Sequence, residues 1–244
     1  MPTALGRLQS QGEIRRVPVD GRLDQQRYRY APWSDNPLGD FKLSLDDCYL
    51  ELAGRYFRWI GPATAAEFQW FSGLGVKAAK AVLDKLDLVP IAPGSDRLLP
   101  ACDKAAFDAL EIPGKPHYAL VSSIDAITLH RRDIAGLTDP AHRAHPLLIA
   151  EGRGSGFVID MPDHAIFDRG QFVGLWEFDP AEGKIVWVSF VPPTDGLLAE
   201  IAKTESYVRD QVGDARSFSL DSPKSRAPRL VLLRRAGSAL EAPV

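Results

Sequence analysis

The chain holds two cysteines in 244 residues, Cys48 and Cys102. That is too few for a disulfide framework, and the spacing is wrong for a zinc site. The five histidines are His117, His130, His142, His145 and His164. His142 and His145 are close, but no cysteine lies near them and no His-Glu-x-x-His occurs, so no metal and no cofactor are expected. No apolar run approaches the roughly 18–20 residues that span a bilayer. Residues 1–11 lack the apolar core and small-residue cleavage site of a secretory signal. The expectation is a protein of the cytoplasm with no membrane partner. Basic residues are not in excess either: 29 Lys and Arg stand against 32 Asp and Glu, a net charge of −3. Two catalytic motifs are also missing. Gly152-Arg153-Gly154-Ser155-Gly156 is glycine-rich, but no Gly-Lys-Ser/Thr follows, so it reads as a turn before a strand and not as a phosphate loop. No Gly-x-Ser-x-Gly nucleophile elbow occurs.

The composition that remains is ordinary for a folded chain, 45% hydrophobic and 25% charged, enough for one or two cored domains. Charge is unevenly placed. Residues 1–30 carry Arg7, Arg15, Arg16, Arg22, Arg27 and Arg29 against Glu13, Asp20 and Asp24, a local +3. Such a patch binds phosphate even on a slightly acidic chain; the plainer alternative is a solvated hairpin with surface arginines.

Along the chain, residues 3–10 read as a short helix that runs into Gly12. Alternating residues 13–17 and 27–30 flank turn chemistry at Val19-Asp20-Gly21-Arg22. Helix, strand, turn and strand suit the last helix and wing of a winged helix. A polar linker follows at 34–41. Ser44 with Asp47 is an acidic variant of the capping box. Leu45, Tyr49, Leu52, Ala53, Tyr56 and Ile60 then keep helical spacing until Gly61-Pro62. Thr64 with Glu67 is a full capping box for a helix to about Phe71. Ser72-Gly73-Leu74-Gly75 is a tight turn, and 76–86 is a third helix with Ala79, Val82, Leu83 and Leu86 on one face. Two short apolar strands around Ala92-Pro93-Gly94-Ser95-Asp96-Arg97 form a second wing. Helices joined by a short glycine turn, with the second free to enter a major groove, describe a helix-turn-helix.

The second half changes character. Helices are expected at 104–110, 125–133 and 194–212. Strands are expected at 117–122, 157–160, 165–168, 171–178, 184–190, 216–220 and 230–233, with Arg169-Gly170 and Glu182-Gly183 as hairpin turns. Residues 236–244 read as a frayed tail. The fold class is therefore α+β, with winged helix-turn-helix units followed by an antiparallel β-rich domain. The expected division is a partial winged helix at 1–33, a complete one at 44–100 and a C-terminal domain at 101–235.

The stretch Arg58-Trp59-Ile60-Gly61-Pro62-Ala63-Thr64-Ala65-Ala66-Glu67-Phe68-Gln69-Trp70-Phe71-Ser72-Gly73-Leu74 resembles a signature of a bacterial winged-helix DNA-binding family. That family includes the AlkZ/YcaQ-like DNA glycosylases that unhook interstrand crosslinks. Residues 120–133, with Asp125 and Arg131-Arg132-Asp133, resemble its second block. Residues 165–178, with Asp168-Arg169-Gly170 and Gly174-Leu175-Trp176, resemble its third. The resemblance extends over residues 4–233. It implies tandem winged helices, a β-rich domain and action on double-stranded DNA, in repair. Where members are catalytic, it implies metal-free hydrolysis of an N-glycosidic bond to an alkylated base. A Gln-x-Gln motif with an apolar middle residue then positions the water. Here the match is Gln9-Ser10-Gln11, with serine in the middle and a wing, not a first winged helix, after it. Gln9 and Gln11 are the catalytic candidates on that basis; a solvated helix end is the alternative. The family's longer N-terminal portion is not matched, and an upstream in-frame start would supply it.

For DNA contact, Lys77 and Lys80 are expected at phosphates, with Ala81 and Asp84 nearest base edges. Asp84 would repel phosphate, and two lysines alone give weak binding, because affinity scales with the number of contacts. Arg15, Arg16, Arg22 and Arg27 on the first wing are better placed, with Arg22 and Arg27 suited to a minor groove or the backbone. Tyr28 and Tyr30 read as wing packing or as base stacking. Asp125, His130, Arg131 and Arg132 read either as a phosphate or flipped-base contact or as a buried ion pair tying a helix to the sheet. Asp125 and Arg132, seven apart, are expected on one side of that helix. Trp59, Trp70 and Phe71 are expected in the winged-helix core. A non-catalytic DNA-binding regulator, or a scaffold for protein contacts, fits the same residues.

Overall fold

The computed structural model of the chain describes residues 2–19, 28–145, 147–148, 163–211 and 223–240. Its first helix, α1 (Pro2–Ser10), stops where Gly12 takes φ +71°. A Cβ at Gly12 would lie 2.2 Å from Asn36 Oδ1, and Asn36 donates to the Gln11 carbonyl, so glycine is what allows the chain to turn here. The strands β1 (Ile14–Pro18) and β2 (Tyr28–Pro32) then pair antiparallel, Arg16 opposite Tyr30.

The next helix starts at its expected cap. The Ser44 hydroxyl accepts from Asp47 N at 3.2 Å and donates to the Asp47 carboxylate at 2.6 Å, opening α2 (Leu45–Trp59). Both halves of the Thr64–Glu67 capping box are made at the start of α3 (Ala65–Ser72). Gly73, at φ +69°, ends α3 in the left-handed conformation, and α4 (Val76–Leu83) follows. The hairpin β3 (Leu88–Pro90) and β4 (Leu98–Pro100) closes the unit. Its Leu98 exchanges two backbone bonds with Ala63, which fastens the hairpin to the α2–α3 link. One core joins these pieces: Ala53, Tyr56, Phe57, Ile60, Phe68, Ala79, Val82 and Leu83. Each large side chain there contributes about 1.5–3 kcal/mol by leaving water. Gly61 is forced by contact, since a Cβ would stand 2.2 Å from the Phe57 carbonyl oxygen. Leu45, expected on the buried face, is 68% exposed, because the chain enters α2 from the solvent side.

After α5 (Lys104–Asp108), β5 (Tyr118–Val121), α6 (Ala126–Arg131) and α7 (Ile134–Leu137) come β6 (His164–Asp168), β7 (Gln171–Asp179) and β8 (Lys184–Ser189). The four long strands form one antiparallel sheet in the order β5-β6-β7-β8. The Arg169-Gly170 turn has positive φ at both residues, as a two-residue hairpin matching strand twist requires. On one face α8 (Asp195–Gln211) sets Leu197 and Ile201 against Ile166, Val173 and Ile185. On the other, Ile134 of α7 and Leu233 of α9 (Pro223–Leu240) cover Phe167, Phe172, Leu175 and Val188. The α+β class holds.

Two expectations fail at the C-terminal end. Residues 230–233 are helical, not a strand, and the helix runs on through the expected tail to Leu240. Leu230 and Leu233 are buried while Val231 and Leu232 face out, an i, i+3 pattern that a four-residue apolar run conceals. Charge adds to this apolar contact in holding α9 down. Glu177, 1% exposed in mid-strand, takes Arg229 Nη2 at 2.6 Å and has Arg226 Nε at 3.2 Å, and Arg234 reaches Asp179 at 2.6 Å. The strands expected at 157–160 and 216–220 and the glycine-rich turn at 152–156 lie outside the described residues. No helix among the described residues is long and apolar enough to cross a membrane.

Candidate nucleic-acid interface

Helix α4 is sharply two-faced. Ala79, Val82 and Leu83 are buried, while Lys77, Lys80, Ala81 and Asp84 are exposed on the outer side. Lys80 Nζ lies 3.2 Å from Asp84 Oδ1, an i, i+4 pair in solvent worth only about 0.3–0.5 kcal/mol. Its electrostatic effect is local: the one acid on this face carries its own counter-charge, and Lys77 stands beside it.

The β1–β2 hairpin presents Arg15 and Arg16 to solvent. Each is laid on an aromatic ring, Arg16 at 4.3 Å from the Tyr28 centroid and Arg15 at 5.8 Å from Trp33. Tyr28 meets Tyr30 edge-on at 5.5 Å. The tyrosines thus pack the hairpin, and Tyr28 carries the Arg16 guanidinium over its ring, at about 0.5–1 kcal/mol per cation–π contact on a surface. Arg22 and Arg27 lie outside the described residues.

Gln9 and Gln11 sit at the end of α1, Gln9 half-buried and Gln11 exposed. Their backbone groups close the helix end, Gly12 N donating to Gln9 O and Asn36 Nδ2 to Gln11 O. Among the described residues neither carboxamide side chain is hydrogen-bonded.

The segment 125–133 is where the structure departs most from expectation. Asp125 and Arg132 do not share a helix side; they cap the two ends of α6. The Asp125 carboxylate accepts from the Ile127 and Thr128 amides, and Arg132 takes the left-handed conformation at φ +51°. The ion pair that fixes this segment is made by Asp133 and reaches the β3–β4 hairpin, not the sheet. Arg97 donates to the Asp133 carboxylate, to Glu67 at 3.3 and 3.4 Å, and to the Pro62 carbonyl at 3.2 Å. Arg131 Nη1 reaches the Ile60 carbonyl at 3.5 Å. Burial first, then the neighbouring Arg97, pushes the Arg131 guanidinium below its ordinary value. Burial and the charge of Glu67 push the Tyr56 phenol up to about 12.

Above this joint lies an aromatic surface. His130 fits among Trp59, Trp70 and Phe71 at centroid distances of 5.6, 6.2 and 5.1 Å. Arg132 covers the Trp70 ring at 4.2 Å. Trp59 and Trp70, expected in the core, are 45% and 47% exposed; of the three rings only Phe71 packs against the core. Tyr56, Phe57 and Phe68 already fill that interior, so the indoles are left at its rim.

With this geometry in hand, comparison with known proteins is specific. Residues 2–218 match the family described as DNA glycosylase AlkZ-like. The chain belongs to that family. Among solved structures it is similar to the Streptomyces sahachiroi DNA glycosylase AlkZ, at a TM-score of 0.54 and 17% identity, over 88% of this chain and 57% of that one. At this identity the likeness is one of fold, and the chain spans 57% of that relative's length. No curated protein matches the chain.

In this AlkZ-like chain the first two resembling blocks meet in space. Glu67 and the α2–α3 link come from the first, and Arg131 and Asp133 from the second. Arg97, which bridges them, belongs to neither. In the sequence it lies in a turn, and its signal is faint: one arginine beside a strand, with two carboxylates distant in sequence. The exposure of the indoles has no local signal, because tryptophan between helix-start and helix-stop residues has the pattern of a core residue.

Proposed function

We propose that this AlkZ-like chain docks on duplex DNA in the repair of alkylated bases, and that residues 44–100 form the winged helix-turn-helix that does so. Helix α4 would lie in the major groove, with β3–β4 as the wing. The observation that carries this is the two-faced α4 behind a glycine turn, its apolar side seated on α2 and α3 and its lysine side open. The β1–β2 hairpin, as the wing of a partial unit at 1–33, adds Arg15 and Arg16, and Arg22 and Arg27 extend the same charge. Residues 101–235 form the β-rich domain behind them. Phosphate contacts of this kind make binding fall with salt, by about 0.9 in log K per log salt for each contact. Lys77→Ala with Lys80→Ala is expected to flatten that slope by about two, and Arg15→Ala with Arg16→Ala by a similar amount. Duplex binding that is absent, or indifferent to salt, would overturn the proposal.

For chemistry, the family points to hydrolysis of the bond between an alkylated base and its sugar. Water oxygen bonds to the sugar C1′ as the C1′–N bond breaks, the base takes the bonding pair, and the water proton passes to solvent. Gln9 and Gln11 are the amides this chain offers to orient the water. A base-release assay on alkylated or crosslinked duplex tests them; full activity in Gln9→Ala with Gln11→Ala removes both from the reaction. One observation favours DNA binding without catalysis in this chain: neither carboxamide is held by a partner among the described residues, whereas a water-orienting group needs a fixed rotamer.

A further inference from the structure

The inner side of α2 carries Ala53, Tyr56, Phe57 and Ile60 into the core. Its outer side lines a groove of about 500 Å³, together with Leu86 to Leu88 after α4 and with Pro100 and Cys102. Leu43, Leu50, Leu86, Leu88 and Pro100 make much of this lining apolar. Lys77, Lys80, Ala81 and Asp84 take no part in it, so the groove is separate from the docking face of α4. Gly54 keeps it open. This glycine lies inside a fifteen-residue helix and has no left-handed φ, and there glycine is the poorest helix former short of proline. A Cβ would meet only Leu86 Cδ2, at 4.0 Å, an ordinary contact. The fold therefore does not need glycine at this position, unlike Gly61. What a side chain at 54 would take is room in the groove, and glycine there suits the close approach of another chain.

The charges on this side of α2 say which chain. In order along the helix the groove lining holds Asp47, Glu51, Arg55 and Arg58, acid first and base last. Asp47 with Arg58, and Glu51 with Arg55, are both centred within one residue of position 53. An antiparallel copy of α2, turned about that centre, sets acid against base at both ends. A parallel copy would set like against like. The same rotation brings Leu50 of the second copy over the gap framed by Glu51, Gly54, Arg55 and Arg58, a knob in a hole with glycine on its edge. Glu51 and Arg55 already pair within the helix at 2.7 Å, but both are exposed, so the pair can extend to a second copy. Arg58 makes no ion pair among the described residues. A partner of one charge sign would be repelled at one end of this stripe. A nucleic-acid strand would meet Asp47, Glu51 and Asp87.

We propose that the chain forms a two-fold dimer in which the outer sides of two α2 helices lie antiparallel across Gly54, Asp47 facing Arg58 and Glu51 facing Arg55 of the second copy. A two-fold contact uses the same patch on both copies, so the assembly stops at two. The proposal does not depend on DNA binding.

Sedimentation of the full chain without DNA, over a range of concentration, tests this. Contact through one helix and its flanks lies at the weak end of specific interfaces, so the mass is expected to rise from 26.8 kDa toward twice that value at about 10–100 µM. Two variants carry one sign each. Arg55→Glu with Arg58→Glu makes the stripe acidic, and Asp47→Asn with Glu51→Arg makes it basic. Each alone is expected to stay monomeric over that range. Their equimolar mixture should regain association close to that of the unmodified chain, a result that misfolding of either variant does not produce. Gly54→Leu, which favours the helix but fills the hole, should weaken association by about tenfold or more. A monomer at every concentration overturns the proposal and leaves the groove to another occupant. A dimer that persists in the single-sign variants, or in Gly54→Leu, overturns it too, since the contact then lies elsewhere. So does a mixture that stays monomeric while thermal melts show both variants folded. Where either melt is not cooperative, Gly54→Leu decides by itself.

Discussion

Arg97 on the hairpin donates to the carboxylate of Asp133, 36 positions later, and in doing so fixes the start of α7 to the helical unit. Asp133 has a second duty as cap, accepting from the Gly136 amide at 3.0 Å. Asp133→Ala removes both and is expected to lower unfolding free energy by about 2–4 kcal/mol, from one charged hydrogen bond and one helix cap. Asp133→Asn keeps the cap and should lose about half as much. Urea denaturation of the two variants separates the contributions.

The Tyr56 hydroxyl is buried and, among the described residues, has no hydrogen-bond partner. Tyr56→Phe is therefore expected to be neutral or slightly stabilising, since it removes a desolvated group and keeps the ring. Tyr56→Ala should cost about 3–5 kcal/mol, as truncation of a packed aromatic does. A thermal melt of each variant gives the comparison. A marked loss in the Phe variant would show that the hydroxyl is bonded after all.

Acid should loosen the β domain through two aspartates. Burial works against the charge of Asp168, but bonds from Arg169 and the His117 amide outweigh it and hold the carboxyl below its ordinary 3.8. Burial of Asp179 is likewise outweighed by the Ala181 amide and Arg234. A carboxyl depressed in the folded state stabilises fully above its unfolded value, and that stabilisation is lost as pH falls through the folded one. Stability should thus drop from about pH 4 downward. Asp168→Asn and Asp179→Asn should be less stable at pH 6 and lose less between pH 4 and 2. Parallel curves for variant and parent would contradict the assignment.

Glu177 is the anchor of α9. Glu177→Ala leaves Arg226 and Arg229 beside a vacated site and is expected to cost about 3–5 kcal/mol. Amide hydrogen exchange should rise first over residues 223–240. Uniform change across the sheet, with α9 still protected, would mean that its apolar side alone holds the helix.

How much could be read in advance follows from the range of each signal. Caps and turns are local: Ser44 with Asp47, Thr64 with Glu67, Gly73, and Arg169-Gly170 each state their structure within four residues, and all four form as expected. The strands of the sheet are legible too, from apolar runs bounded by turn residues, since both faces of β6 and β7 are buried. The Arg97–Asp133 joint was not, because no local pattern ties a turn arginine to an aspartate a domain away. Helix α9 is not legible in Leu230-Val231-Leu232-Leu233, which has no internal period; the burial of Leu230 and Leu233 and the pairing of its arginines with Glu177 and Asp179 show it only in three dimensions. Of the candidate site, the lysine face of α4 was predictable from periodicity. The exposure of Trp59 and Trp70 depends on which aromatics win the limited interior, which spacing does not reveal.

The joint has a bearing on how the molecule divides. A cut after Pro100 looks natural from the chain, since it follows a finished hairpin. It would strip Asp133 from Arg97 and His130 from the two indoles, leaving an arginine with one carboxylate partner and a wider apolar rim. The portable unit therefore does not end at the hairpin. Any transplant or truncation meant to keep the helical region intact has to carry residues 125–137 with it.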